Sequence, residues 1–236
     1  MSLGASTIAQ PVPADMAEGL RKNIATHSQG KVPVGAITRT PVPGMFQVVS
    51  DGEIFYIDAS GRYAFFGGSM IDMKQQQDVT ASELDKLNAI AFDRLPLQHA
   101  IKEVHGNGSR HIAVFEDPNC PICKVFTKFL DQVDDVTIHR FMYPVIAPQS
   151  EALAQAAWCS RDRGAAWKSI MAGAKPAAAG VATCDTSGLA AILKFGEAHR
   201  INNTPTVVLA SGKRLVGATP PEMFLQELEQ GGRPAK

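Results

Sequence analysis

The sequence predicts an α+β protein: a small antiparallel sheet, a connecting helix, and then an α/β domain carrying a helical insertion. Three observations predict this. Short apolar runs separated by turn sequences occupy residues 46–66, a helix-length stripe with a start signal begins at Thr80, and a continuous apolar run at 110–116 opens an alternation of helix- and strand-length segments. At 236 residues the chain is comfortable for two cores. The expected division is residues 1–78, a linker helix over 79–97, and a domain over 98–236 with an insertion at about 146–185.

In chain order, "ADMAEGLRKNIATH" (14–27) sets Met16, Leu20 and Ile24 on one stripe of a short helix. Phe46–Val49, Ile54–Ile57 and Tyr63–Phe66 read as strands, with "SDGE" and "ASGR" as turns. So thin a core would gain from pairing with another copy. "TASELDKLNAIAFDRL" has Thr80 or Ser82 as a cap, early acids Glu83 and Asp85, the stripe Leu84, Leu87, Ala91, Leu95, and a stop at Pro96. "RHIAVFE" reads as a strand covered on both faces, followed by a helix with Val125, Phe126, Phe129, Leu130 and Val133. Val136–Val145 is a second strand, Ser150–Ala174 is helical, and Leu189, Ile192 and Leu193 mark another helix. "TPTVVLASGKRLVG" reads as a hairpin and "PPEMFLQELEQ" as a closing helix begun by proline.

The bulk numbers exclude several classes. Hydrophobic residues make up 45% and charged residues 19%, as in an ordinary globular protein, and 23 basic residues balance 23 acidic ones. No global field therefore attracts nucleic acid or an anionic membrane. No apolar run approaches the roughly 20 residues that span a bilayer. The N-terminus shows no signal peptide, although Met1-Ser2-Leu3 resembles an expression-vector scar left where a leader has been removed. No Gly-rich phosphate loop is present and no cofactor or metal is implied.

The four cysteines carry the chemistry. Cys120 and Cys123 stand three apart in "EDPNCPICKVF", while Cys159 and Cys184 lie far from them and from each other, a pattern of one reactive and one structural pair. A zinc site would need a second closely spaced pair, which Cys159 and Cys184 do not form. Burial as two inert thiols is the competing reading. Against it, Cys120 follows a strand, a Pro and an Asn and opens a helical run, where free N–H groups and the dipole favour thiolate. Pro121 suits a first helical turn, and Cys123 lies one turn on, within disulfide reach. Thr204-Pro205 directly before a β run is a second unusual feature, because proline there ends strand pairing.

These residues resemble the thioredoxin fold, and more narrowly the DsbC/DsbG family of periplasmic disulfide isomerases, over nearly the whole chain. The resemblance rests on "FYIDASGRYAFFGGSMIDM", "FEDPNCPICKVF", "AAWCSRDRGAAWKSIMAG", Cys184-Asp185 and "NNTPTVVLASGKRLVGATPPEMF". It implies a V-shaped homodimer whose N-terminal domains pair through edge strands and whose thioredoxin-like arms face an apolar cleft. Cys120 would be the nucleophile and Cys123 the resolving thiol. Pro205 would be cis, with Thr204 presenting backbone to a substrate chain. Cys159 and Cys184 would form a structural disulfide, and Gly67, Gly68, Ser69, Met70, Ile71 and Asp72 would lie in the dimer interface. The implied partners are misfolded or misoxidised secreted proteins and a membrane-bound reductase that keeps the cysteines reduced; the implied location is the periplasm.

Two departures stand out. Pro121-Ile122 differs from the family's commoner dipeptides, which leaves the redox potential open. Thioredoxins carry a buried Asp six residues before the first cysteine, where this chain has Val114; Glu116 and Asp117 are the nearest acids, and Asp117 is a candidate to deprotonate Cys123, although a solvated or capping role is expected for it. Thiol–disulfide interchange, isomerising or reducing non-native disulfides, is the expected activity. A reductase-chaperone like DsbG, a thiol oxidase of the same fold, and a non-enzymatic holdase are its rivals. The histidines, including His105, His111 and His139, are expected in ordinary surface or satisfied roles, Trp158 and Trp167 in packing, and Phe65–Gly68 in core or dimer packing.

Overall fold

The computed structural model describes residues 10–175 and 184–234. Two compact units divide between Leu87 and Asn88.

In the first unit, strands β1 (Gln10–Pro11), β2 (Ile37–Arg39), β3 (Met45–Ser50), β4 (Glu53–Asp58) and β5 (Ala64–Phe65) form an antiparallel sheet in sequence order. The "SDGE" turn closes β3 on β4 with Ser50 opposite Glu53; Asp51 and Gly52 both take positive φ, the geometry a two-residue Asp-Gly hairpin requires. The next turn is organised by the Asp58 carboxylate, which is held well below the usual carboxylate range by the Ser60 hydroxyl and by the backbone N–H groups of Tyr63, Arg62 and Ser60, all of which donate to it. Gly61 is required there: its φ is +70°, and a Cβ would approach Asn23 Cβ to 2.8 Å. Helix α1 (Ala14–His27) packs Leu20 and Ile24 onto Phe46, Val48, Phe55 and Ile57. Met16, expected on the same stripe, is 41% exposed, because the first helical turn runs beyond this core. The short strands β6 (Ile71–Asp72) and β7 (Gln77–Asp78) form a hairpin ahead of helix α2.

Helix α2 corrects the expected linker. It covers Val79–Leu87 only; Phe92–Arg94 and Leu97–His99 are separate 3-10 turns. Leu84 and Leu87 therefore share no helix with Ala91 and Leu95. The reason is tertiary. Ile90 is 2% exposed in the core of the second unit and its N–H donates to Gly212 O, so the chain leaves the helix to dock. Nor do Thr80 or Ser82 cap it. Asp78 accepts from Ala81 N at 2.8 Å, while Thr80 Oγ1 is taken by the Tyr56 hydroxyl and Met70 N. Phe65 and Phe66 are likewise not core residues: both are more than three-fifths exposed, alongside Tyr63 and Met73.

The second unit is built on a mixed sheet of β8 (Ile101–His105), β9 (Arg110–Glu116), β10 (Val136–Met142), β11 (Thr206–Leu209) and β12 (Arg214–Val216), in the order β12-β11-β9-β10-β8. Only β9 and β10 run parallel, joined by helix α3 (Pro121–Leu130); the remaining neighbours are antiparallel. Central β9 is buried on both faces, as its unbroken apolar run demands. Ile112 and Val114 join Phe126, Leu130, Phe224 and Leu228 in one core, and Ala113 and Phe115 join Phe141, Trp158 and Ile192 in the other. The inserted stretch is two helices, α4 (Pro148–Trp158) and α5 (Arg163–Met171), broken around Cys159 rather than continuous to Ala174. Helices α6 (Ser187–Ala198) and α7 (Pro221–Gly231) complete the unit. Val133 falls beyond α3 yet remains buried, and Val125, on the outer face of α3, is 66% exposed.

Candidate active site

Strand pairing assembles the site. Thr206 lies opposite Phe115, so the residues just before β11 sit beside those just after β9. That brings Thr204-Pro205, a cis peptide, against Cys120 at the start of α3. Cys120 is the N-cap, with Pro121 at the first helical position. Its Sγ accepts from Cys123 N at 3.1 Å and donates to Thr204 O at 3.4 Å. Cys120 and Cys123 are free thiols, 3% and 0% exposed, whereas Pro121 and Ile122 between them are exposed. Burial pushes the Cys123 thiol far above its ordinary range, and the neighbouring Cys120 sulfur adds to this; the Asp117 backbone and the Thr204 side chain oppose the shift.

Asp117 is neither solvated nor a helix cap. It is fully buried, and its carboxylate accepts from Asn119 N, Val145 N, Ile146 N and Ser150 Oγ at 2.7 to 2.8 Å. Four donors on one carboxylate bind the Cys120 turn to the loop after β10 and to α4. Glu116 is fully buried too, held by Trp167 Nε1 at 2.6 Å, Thr127 Oγ1 at 3.1 Å and Arg140 Nη1 at 3.1 Å. Burial raises its carboxyl in spite of Arg140, and the groups that shift it do not include either cysteine. This buried acid ties β9 to α3, α5 and β10.

Cys159 and Cys184 are disulfide-bonded, joining the end of α4 to the segment before α6. Trp158 and Trp167 are buried, and each indole N–H also donates, to Asp185 O and to Glu116. His111 and His139 face each other with centroids 6.2 Å apart, and burial depresses both. Gly67, Gly68 and Ser69 are exposed, Met70 and Asp72 half-buried and Ile71 exposed, all in the first unit. Glu103, His105 and Asp131 converge within 4.8 Å, a grouping no sequence spacing reveals, but Arg140 already holds Glu103 at 3.0 Å and Lys168 holds Asp131 at 2.9 Å.

Residues 97–232 match the thioredoxin-like domain family, and residues 7–81 match the family described as disulfide bond isomerase protein N-terminal domain. A Bordetella avium protein named "Probable thiol:disulfide interchange protein DsbC" is 35% identical over 223 residues, spanning 94% of this chain and 78% of that one. The chain belongs to the DsbC family. The DsbC thiol:disulfide interchange protein of Escherichia coli K12 is 28% identical over 204 residues, 82% of this chain and 80% of its own. The crystal structure of a disulfide interchange protein from Neisseria gonorrhoeae superposes with a TM-score of 0.54 at 34% identity, covering 59% of this chain and 99% of that one. As a DsbC-family member the chain is a thiol:disulfide oxidoreductase with an N-terminal antiparallel-sheet domain and a thioredoxin-like domain. Among the described residues no helix is long and apolar enough to cross a membrane.

Proposed function

We propose that Cys120 is the attacking sulfur and Cys123 the resolving thiol in disulfide isomerisation on secreted clients, acting in the periplasm. The observation that carries this is the placement of Cys120: at a helix N-cap, facing the Cys123 N–H and the carbonyl ahead of a cis proline. An amide so placed donates to negative charge on the sulfur, both when it attacks and when it leaves.

The Cys120 thiolate forms a bond to one client sulfur and breaks the client S–S bond. The other client sulfur departs as a thiolate. That thiolate, or another in the client, attacks elsewhere and finally expels Cys120, with no net change in electrons. Alternatively Cys123 loses its proton and attacks Cys120. The client thiol is released, the client has gained two electrons, and the Cys120–Cys123 disulfide must be reduced again by a membrane-bound reductase partner. The raised Cys123 thiol favours the first route, since a protonated Cys123 attacks slowly and prolongs the mixed disulfide. Thr204 would offer its backbone to the client chain beside Pro205, and the Cys159–Cys184 disulfide would be structural.

The N-terminal unit would pair two copies through the Gly67–Asp72 segment. Support comes from the position of β5 at the open edge of the sheet and from Tyr63, Phe65, Phe66 and Met73, all at least 62% exposed. The test is recovery of activity by a scrambled multi-disulfide client with reduced protein and no added oxidant, beside Cys120→Ala. Recovery that depends on Cys120 is expected. No recovery from a folded protein with a reactive Cys120 overturns isomerisation, and aggregation suppression that survives Cys120→Ala would then identify a holdase.

A further inference from the structure

Beside the cis-proline loop lies a cavity of about 390 Å³ lined by Tyr143, Val145, Ile146, Glu197, Ile201 and Thr204, among others. Thr204 O is the atom that Cys120 Sγ contacts at 3.4 Å, so the cavity opens one residue away from the attacking sulfur. The walls are built rather than incidental. Val145 and Ile146 present apolar side chains that are 45% and 51% exposed, while their backbone N–H groups are fastened to the Asp117 carboxylate. The Tyr143 ring forms the floor: it lies against Gly196, where a Cβ would come within 2.4 Å of the ring, and its hydroxyl donates to Ile201 O at 2.9 Å.

Glu197 is the only charged residue on this lining. It stands in the last turn of α6, which holds no basic residue, at the negative end of the helix dipole where an acid weakens the helix. It has no ion pair among the described residues. Its field reaches the floor, since burial raises the Tyr143 phenol and the Glu197 charge adds to that rise. The carbonyls just past α6 are met by Arg214, whose guanidinium donates to His199 O and Arg200 O, so the attraction for a cation rests on Glu197. An acid without an ion pair over apolar walls suits a long aliphatic stem with a cationic head.

We propose that this cavity receives a client side chain flanking the attacked cysteine, and that Glu197 selects a lysine or arginine there. The inference rests on the reading of Cys120 as the attacking sulfur. It assigns the site a preference for basic sequence around the disulfide, beyond apolar contact alone.

The test uses the full-length reduced protein and short peptides whose single cysteine is held as a mixed disulfide with thionitrobenzoate. Cys120 attacks the peptide sulfur, the new S–S bond forms, and the low-pKa thionitrobenzoate leaves with the electron pair and is read by its colour. Lysine, acetyl-lysine or glutamate is placed in turn at each of the two positions on either side of the cysteine. At one position or more, lysine is expected to react about two- to five-fold faster than acetyl-lysine, which keeps the stem but not the charge, with glutamate slowest. Glu197→Gln should bring the three rates together, Glu197→Lys should reverse the order, and 0.5 M salt should erode it. Equal lysine and acetyl-lysine rates at all four positions, or a preference that survives Glu197→Gln, overturns the proposal while leaving Cys120 chemistry intact. Absence of any Cys120-dependent release would remove both readings.

Discussion

Removing the Cys159–Cys184 disulfide by the double substitution Cys159→Ala, Cys184→Ala tests how this unit is held together. The two cysteines lie 25 positions apart, so the bond closes a loop of 26 residues, counted inclusively. In the chain-entropy model such a closure restricts the unfolded chain by roughly 3.5 kcal/mol. With a urea slope of about 2 kcal/mol per molar, the unfolding midpoint should fall by about 1.5–2 M. Intrinsic fluorescence reads this unit selectively, because the chain's two tryptophans, Trp158 and Trp167, both belong to it. Trp158 also adjoins the bond and donates to Asp185 O, next to Cys184. A control is available in a Cys120→Ala, Cys123→Ala background, where reductant acts on the Cys159–Cys184 bond alone and should move that protein toward the stability of the disulfide-free variant. A midpoint shift below about 0.5 M with an unchanged slope would refute the reasoning, since the unfolded loop would then be restricted without the bond.

Glu116→Ala should cost about 3–5 kcal/mol in the same urea assay, because it leaves the buried Arg140 with Glu103 as its remaining carboxylate, takes the acceptor from Trp167 Nε1 and opens a cavity beside that ring. Glu116→Gln, which can still accept from Trp167, should cost less; equal losses would mean that the lost charge, and neither the cavity nor the Trp167 bond, accounts for the whole effect. Cys123→Ser should accumulate the Cys120–client mixed disulfide, visible as a stable adduct on non-reducing gels, and failure to trap it would count against Cys123 as the resolving thiol. The reduced protein should lose stability as pH rises above about 8.5. The sign follows from Cys123: its folded thiol is raised, so the unfolded chain gives up that proton first and the stability present at lower pH is lost. Tyr56 and Tyr143, raised by burial, act in the same direction at higher pH, and a Cys123→Ala protein should show a smaller early loss in midpoint-against-pH curves.

Local chemistry made much of this molecule legible. Asp51-Gly52 between two apolar runs suits a two-residue hairpin turn, and the unbroken run 110–116 reads as a strand covered on both faces. Cys120 before Pro121 marks a helix start because proline lacks the N–H that a first turn cannot use. Where the reading failed, a distant partner had intervened. The stripe from Leu84 to Leu95 has helical spacing, yet Ile90 gains more by burial and a hydrogen bond to Gly212 than by continuing α2. Thr80 looks like a cap, but Tyr56 and Met70 claim its hydroxyl.

The sequence by itself determined the α+β plan, the C-x-x-C pair at Cys120 and Cys123 and the family, because each rests on residues within a few positions of one another or on motifs carried along the chain. Tertiary structure alone decided what the acids do. Asp117 became a four-donor staple, Glu116 a buried clamp and Glu197 the unpaired charge of a cavity, three similar carboxyls separated only by which strands and helices close around them. A carboxylate's role depends on its burial and on the donors that meet it, and those donors come from residues up to 51 positions away.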